Sequence, residues 1–276
     1  MDHELSQEGI DALLNGVTIP PRPSLLLSLD AELKSDSPNP KVVEALITKD
    51  VGVSAAMLRT LNSPLFGLSR KVGSVLQAVQ LLGMRNVRNV VTGLMLRNAA
   101  GGGASLERFW DSAEKVASIN AHICSLLPRV PREECYTFGL FRDSGIPMLM
   151  QRFPDYRETL RIAAVDPRPM TEVEEERHGT SHAAVGHVIG RVWGLSDTVR
   201  AAILHHHDVD LFANADDAHP MAYTLVAINI LAEHFNDTAQ RMRDDTHWAA
   251  RGHNALDYLG LSNTDYTDLR DYLQSL

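Results

Sequence analysis

Glycine and proline fall mostly between the apolar stretches of this 276-residue chain, which leaves runs rich in Leu, Ala, Val and Met free to form helices. Aromatic residues make up 6% of the sequence within a hydrophobic share of 44%, a mix that suits packed helices better than a β-sandwich. An all-α fold is the first expectation. The formal charge of -9 argues against broad contact with nucleic acid or an anionic membrane, both of which need clustered Lys and Arg. The small basic group Arg85, Arg88 and Arg97 reads as the wet face of one helix. Cys124 and Cys135 lack CxxC spacing and read as reduced core thiols, which points to the cytoplasm. No apolar stretch has the length of a membrane span, and the N-terminus, with Asp2, Glu4 and Glu8, lacks the basic region of a signal peptide.

Residues 1–16 read as a short helical unit capped by Ser6, with Ile10, Leu13 and Leu14 on one face and Gly16 as its stop. The prolines within residues 17–23 predict a stiff linker. Four helices are expected in 24–100, two of them opened by Asn39-Pro40 and by Ser54. Gly101-Gly102-Gly103 should then separate this subdomain from a second, 104–212, with helices near 106–127, 132–151, 171–178, 182–193 and 197–207. Thr171 and Glu174 have the spacing of a capping box, and Ser196 precedes a further apolar run. A helical extension over 213–276 completes the chain, with helix at 220–235 and 264–276.

Polar chemistry gathers in Asp143, His182 and His205-His206-His207-Asp208, spread over three of these helices. Imidazole and carboxylate together suit a transition metal or a two-metal hydrolytic centre. They equally suit a buried hydrogen-bonded network, and adjacent histidines on a helix point about 100° apart, so only part of the triplet can face one ion.

Several separate motifs, in order, resemble the HDOD (HD-related output domain) family. Leu61-Asn62-Ser63-Pro64-Leu65-Phe66-Gly67 and Ser74-Val75-Leu76-Gln77-Ala78-Val79-Gln80-Leu81-Leu82-Gly83 are similar to its N-terminal half. Thr180-Ser181-His182-Ala183-Ala184-Val185-Gly186, Trp193-Gly194-Leu195-Ser196 and Ala202-Ile203-Leu204-His205-His206-His207 are similar to its second half. The resemblance runs from about Ile19 to about Phe212. It implies an all-α, HD-like helical domain with an N-terminal helical subdomain, related to metal-dependent phosphohydrolases. Catalytic members carry a metal-binding His-Asp pair, where this chain reads Arg142-Asp143, and a further histidine where it reads Asp111-Ser112. Arg cannot be deprotonated and brings a permanent positive charge to the place of a ligand. Gly145-Ile146 stands where many catalytic relatives have Gly-Lys, which removes a cation that could meet a substrate phosphate. By resemblance, Arg142, Asp143, His182, His206 and His207 form a vestigial HD site without catalysis, bound metal or cofactor. The alternatives are a metal-dependent phosphohydrolase or phosphodiesterase with a degenerate site, and a module that binds a nucleotide or other small effector.

Leu5 to Gly16 resembles the N-terminal peptide by which flagellar switch proteins of the FliM type dock on a phosphorylated chemotaxis response regulator. Ile10, Leu13 and Leu14 would fill a groove with Asp11 at its rim, as in helix-in-groove recognition. The same apolar face could instead pack on the chain's own domain. The whole reads as a signalling scaffold or adaptor with protein partners. Gly9 stands where the switch peptide usually has Glu, so Ser6 loses its capping-box partner at a cost of about 1 kcal/mol. Gly9→Glu should therefore raise the affinity of a 1–16 peptide for the organism's phosphorylated regulator, and Leu14→Ala should lower it by about 1–3 kcal/mol. Titration of labelled peptides checks both; binding by neither peptide, with domain stability lost on deleting 1–16, would favour intramolecular packing.

Overall fold

Asn39 opens a helix as its pairing with Pro40 predicts: the side chain accepts the Lys41 N–H and Pro40 fills the first helical position. The same logic recurs at Ser74 and Ser196, whose hydroxyls accept from Gln77 N–H and Val199 N–H. The computed structural model describes residues 14–66, 68, 70–99, 104–127, 130–208, 210–212, 219–241 and 246–275. Its α-helices are α1 (Ser24–Leu33), α2 (Pro40–Thr48), α3 (Val51–Leu61), α4 (Val75–Leu82), α5 (Met84–Ala99), α6 (Ala104–Leu126), α7 (Arg132–Phe141) and α8 (Gly145–Arg152). They continue with α9 (Tyr156–Ala163), α10 (Met170–His178), α11 (His182–Val192), α12 (Asp197–His205), α13 (Pro220–Arg241), α14 (Thr246–Leu259) and α15 (Asn263–Gln274). A 3₁₀ turn covers Pro64–Phe66, and no strand occurs among the described residues. No described helix is long and apolar enough to cross a membrane.

Several local expectations change. Ser54 lies inside α3, which begins at Val51 because Asp50 accepts the Val53 N–H, while the Ser54 hydroxyl donates to the Ile47 carbonyl. The span 132–151 is two helices. Pro147 would lack the N–H owed to Asp143 in a continuous helix, whereas in the first turn of α8 that N–H has no helical partner to lose. Thr171 and Glu174 form no capping box, since α10 starts at Met170 without a side-chain cap and Glu174 is engaged elsewhere. Arg88 is buried rather than wet: its Nε and Nη2 lie 2.9 and 3.3 Å from the two carboxylate oxygens of Asp30, which also pairs with Arg22. The short charged α9 and the aliphatic-poor α14 were not anticipated by the apolar pattern.

The chain forms two compact units, each discontinuous in sequence. One comprises residues 22–139 and 227–276. Within it α2 packs on α1, α3 and α4, and α5 packs on α1, α3 and α4. Leu26, Leu29, Ile47, Met57, Leu61 and Leu96 form the buried core of this part. Asn120 on α6 donates to the Cys135 carbonyl at 3.3 Å and to Asn229 Oδ1 at 2.9 Å.

The other unit comprises the described residues within 14–21 and 140–226. In it α11 packs on α8 and α12, and α9 packs on α10, around Phe141, Leu149, Tyr156, Val185, Ile189 and Trp193. The start of the described chain is fastened here. Asn15 and Gly16 both have positive φ, and the Val17 N–H closes a turn on the Leu14 carbonyl. Asn15 Nδ2 then donates to the His178 carbonyl at 2.6 Å, and Trp193 Nε1 donates to the Pro20 carbonyl at 3.0 Å.

A Cβ at Gly139 would stand 2.7 Å from Ala117 Cα and 2.4 Å from Asn120 Nδ2, so α6 and α7 approach as closely as a missing side chain permits. Gly139→Ala should destabilise the protein by about 1–3 kcal/mol through overpacking. An unchanged urea midpoint would mean that the two helices can separate at no cost.

Candidate functional site

Gly145 and Gly186 set how closely three helices meet in the unit that holds residues 140–226. A Cβ at Gly145 would lie 2.2 Å from the His182 carbonyl oxygen, and one at Gly186 would lie 3.0 Å from Ile203 Cγ2. Their bare backbones bring the turn before α8 and the end of α12 onto the start of α11. His182 is the first residue of α11, behind the Ser181 cap, and His206 is the C-cap of α12.

The convergence is tight. Asp143 Oδ1 lies 3.4 Å from His206 Nε2 and 3.6 Å from His182 Nε2. His182 Nε2 is in turn 3.3 Å from His206 Nε2 and 3.1 Å from His207 Nε2. One potential ligand atom from each of these four residues lies within 4.8 Å of the others. Because α12 ends at His205, the following turn can aim both His206 and His207 at the cluster, while His205 faces Asp208 at 2.8 Å. A transition-metal ion would find three imidazole nitrogens and one carboxylate oxygen here, a donor set that fits borderline divalent metals.

Arg142 adds a permanent cation. Its buried guanidinium places Nη2 3.1 Å from Asp143 Oδ2, so one carboxylate oxygen faces the imidazoles and the other faces Arg142. Burial alone would raise the Asp143 carboxyl, but Arg142, followed by His206 and His182, holds it well below the usual carboxylate range. His182 is fully buried. Desolvation works to lower its pKa, yet Glu174 and then Asp143 outweigh that and raise it.

Glu174 is the residue that sequence reasoning placed in the wrong role. Its side chain is fully buried, and Oε2 accepts the His182 backbone N–H at 2.9 Å and lies 2.7 Å from His182 Nδ1. The other oxygen accepts the Tyr156 hydroxyl. Burial would raise the Glu174 carboxyl, but His182 and the Tyr156 hydroxyl hold it below its ordinary value. The available signal was weak: Glu174 and His178 are one turn apart and both buried, but neighbouring Glu172, Glu175 and Glu176 hide that face in an acidic run.

A cleft of about 560 Å³ opens beside the cluster, lined in part by Glu172, Glu175, His205, His207, Asp208 and Asp210. His207 belongs to both cleft and cluster. The carboxylates give the cleft a negative field, which disfavours binding of a phosphate ester there. Ser112 and Asp111 belong to the other unit, where Ser112 Oγ accepts from Asn236 Nδ2 at 3.3 Å and Asp111 pairs with Arg97 at 2.7 Å. Of the peptide residues, Ile10, Asp11 and Leu13 lie outside the described residues, and Leu14 is half-buried.

The HDOD domain family model matches residues 19–209. Among solved structures, a candidate phosphohydrolase of Shewanella amazonensis SB2B is similar with a TM-score of 0.72 at 22% identity, over 96% of this chain and 93% of that one. A candidate signal transduction protein of Marinobacter aquaeolei VT8 is similar with a TM-score of 0.66 at 20% identity, over 95% of this chain and 58% of that one. At such identities the likeness establishes the fold. An uncharacterised protein of Treponema pallidum (strain Nichols) is 22% identical over 200 residues, which cover 69% of this chain and 38% of that protein. The chain thus spans well under half the length of that curated relative.

Asp143→Ala should leave the buried Arg142 guanidinium without its carboxylate and destabilise the protein by about 1–3 kcal/mol. Adding Arg142→Met should recover part of the loss, because the uncompensated cation goes with it. Urea unfolding of the single and double variants checks this; equal midpoints for wild type and Asp143→Ala would show that the pair contributes nothing.

Proposed function

The chain belongs to the HDOD family, and from that membership we propose that it is a non-catalytic scaffold or adaptor in bacterial signal transduction. The observation that carries this reading is the Arg142–Asp143 pair. A two-metal hydrolytic centre uses ligands that bridge or flank both ions, and here the outer carboxylate oxygen is already held by a cation that cannot lose its proton. The acidic cleft beside His207 points the same way, since its carboxylates would repel a phosphodiester. The name of the Marinobacter protein accords with a signalling role.

On this reading the molecule works in the cytoplasm through protein partners, without nucleic acid or membrane contact. Residues Ile10, Asp11, Leu13 and Leu14 supply one contact, to a phosphorylated response regulator of chemotaxis or flagellar output, and the HDOD domain supplies another. Joining two weak contacts through one chain raises their combined affinity by effective concentration. The second reading, a degenerate metal-dependent phosphohydrolase, is favoured by the four converging ligand atoms of Asp143, His182, His206 and His207. A nucleotide-binding role is less well matched to the cleft, whose acidic lining opposes phosphate.

Purified protein supplied with manganese, nickel or iron should hydrolyse neither phosphomonoesters nor phosphodiesters, while affinity capture from the native bacterium should retain a response regulator only when residues 1–16 are present. Turnover that disappears in Asp143→Ala would overturn the non-catalytic reading.

A further inference from the structure

His182 and His206 each give the Nδ1 proton to an acceptor with none to return. For His182 this is the Glu174 carboxylate at 2.7 Å, and for His206 the Ile203 carbonyl oxygen at 2.7 Å. A neutral ring held in this way presents a lone pair at Nε2. Two such nitrogens, 3.3 Å apart, face Asp143 Oδ1 at 3.4 and 3.6 Å. Without an ion these close contacts need a proton between the partners, and a divalent cation can take that place for all four groups at once. His207 Nε2, 3.1 Å from His182 Nε2, completes an N₃O set.

The spacing suits a single ion. Bonds of about 2.0–2.1 Å in a tetrahedron hold ligand atoms roughly 3.3–3.4 Å apart, close to the separations around His182 and Asp143. Imidazole-rich donors select zinc, cobalt or nickel over magnesium or calcium, which prefer oxygen. Arg142 occupies Asp143 Oδ2, so the carboxylate has one oxygen to offer and the set closes around one ion rather than two.

We propose that Glu174, backed by Tyr156, is a positioning residue that commits His182 to its Nδ1–H tautomer and so makes Asp143, His182, His206 and His207 a site for one divalent transition-metal ion. Glu174 does not reach the ion. It acts by fixing the ring it hydrogen-bonds, and by holding negative charge behind that ring it makes Nε2 a stronger donor. Tyr156 donates to the second Glu174 oxygen and keeps the carboxylate from turning. From residue types alone the cluster suits a metal and a buried network alike; the Nδ1 acceptors supplied by Glu174 and Ile203 favour the metal.

The full chain, stripped with chelator and titrated with cobalt(II), should take up about one ion per chain and develop visible d–d absorption. Long-range proton–nitrogen NMR of the apo protein should show the His182 proton on Nδ1. Glu174→Gln keeps an acceptor but removes the charge, and should weaken cobalt binding about 10- to 100-fold, the usual effect of losing a partner behind a metal-bound histidine. Tyr156→Phe, which removes only a hydroxyl, should weaken it less and serves if Glu174→Gln fails to fold. A merely structural Glu174 would shift the melting temperature while leaving cobalt affinity and spectrum of the folded protein intact. That outcome, wild-type affinity in both folded variants, or a wild-type protein that takes up no cobalt, overturns the proposal.

Discussion

A carboxylate with no exposed surface is tolerable only if donors replace the water it has lost, and Glu174 meets that condition with three: the His182 amide, the His182 ring and the Tyr156 hydroxyl. These bonds tie α9, α10 and the start of α11 at one point. The first backbone N–H of α11 would otherwise be one of the orphan donors of a helix N-terminus, so the same carboxylate finishes the helix and aims its first side chain. Replacing such a group with an apolar one is a change of architecture, because three donors on two helices would be stranded together.

The helical class was legible because it rests on local signals. Asn39-Pro40, Ser74 and Ser196 act within a few residues of themselves, and nothing distant overrides them. Asp143, His182, His206 and His207 were legible as types, and their meeting could be expected from resemblance. Glu174 was not. Its three donors come from residues 8 and 18 positions away, and at the sequence level an acid near Thr171 in a helical stretch looks like a cap. Arg88 misled for the same reason, since its partner Asp30 is 58 residues distant. Ser54 failed more simply: Asp50, four residues earlier, is an equally good cap, and only the packing of α3 chooses between them.

Asp143 shows how one substitution can redirect a site while leaving it in place. Its two oxygens see opposite surroundings, imidazole nitrogens on one side and guanidinium on the other. A histidine in place of Arg142 could offer a lone pair that is absent from arginine, whereas the arginine neutralises half the carboxylate permanently. The cluster therefore keeps its attraction for positive charge but has less of it to share.

The helix that carries the last two histidines has a fixed length between two commitments. Ser196 caps α12 at one end, and His206 must arrive at the other with its ring toward Asp143. Each residue of an α-helix advances 1.5 Å and turns about 100°, so one residue added or removed between these ends would swing His206 off the cluster and carry His207 with it. Side chains along α12 can change freely on its outer face, but its residue count cannot. The segment is a ruler, and the site behind it is read at one graduation only.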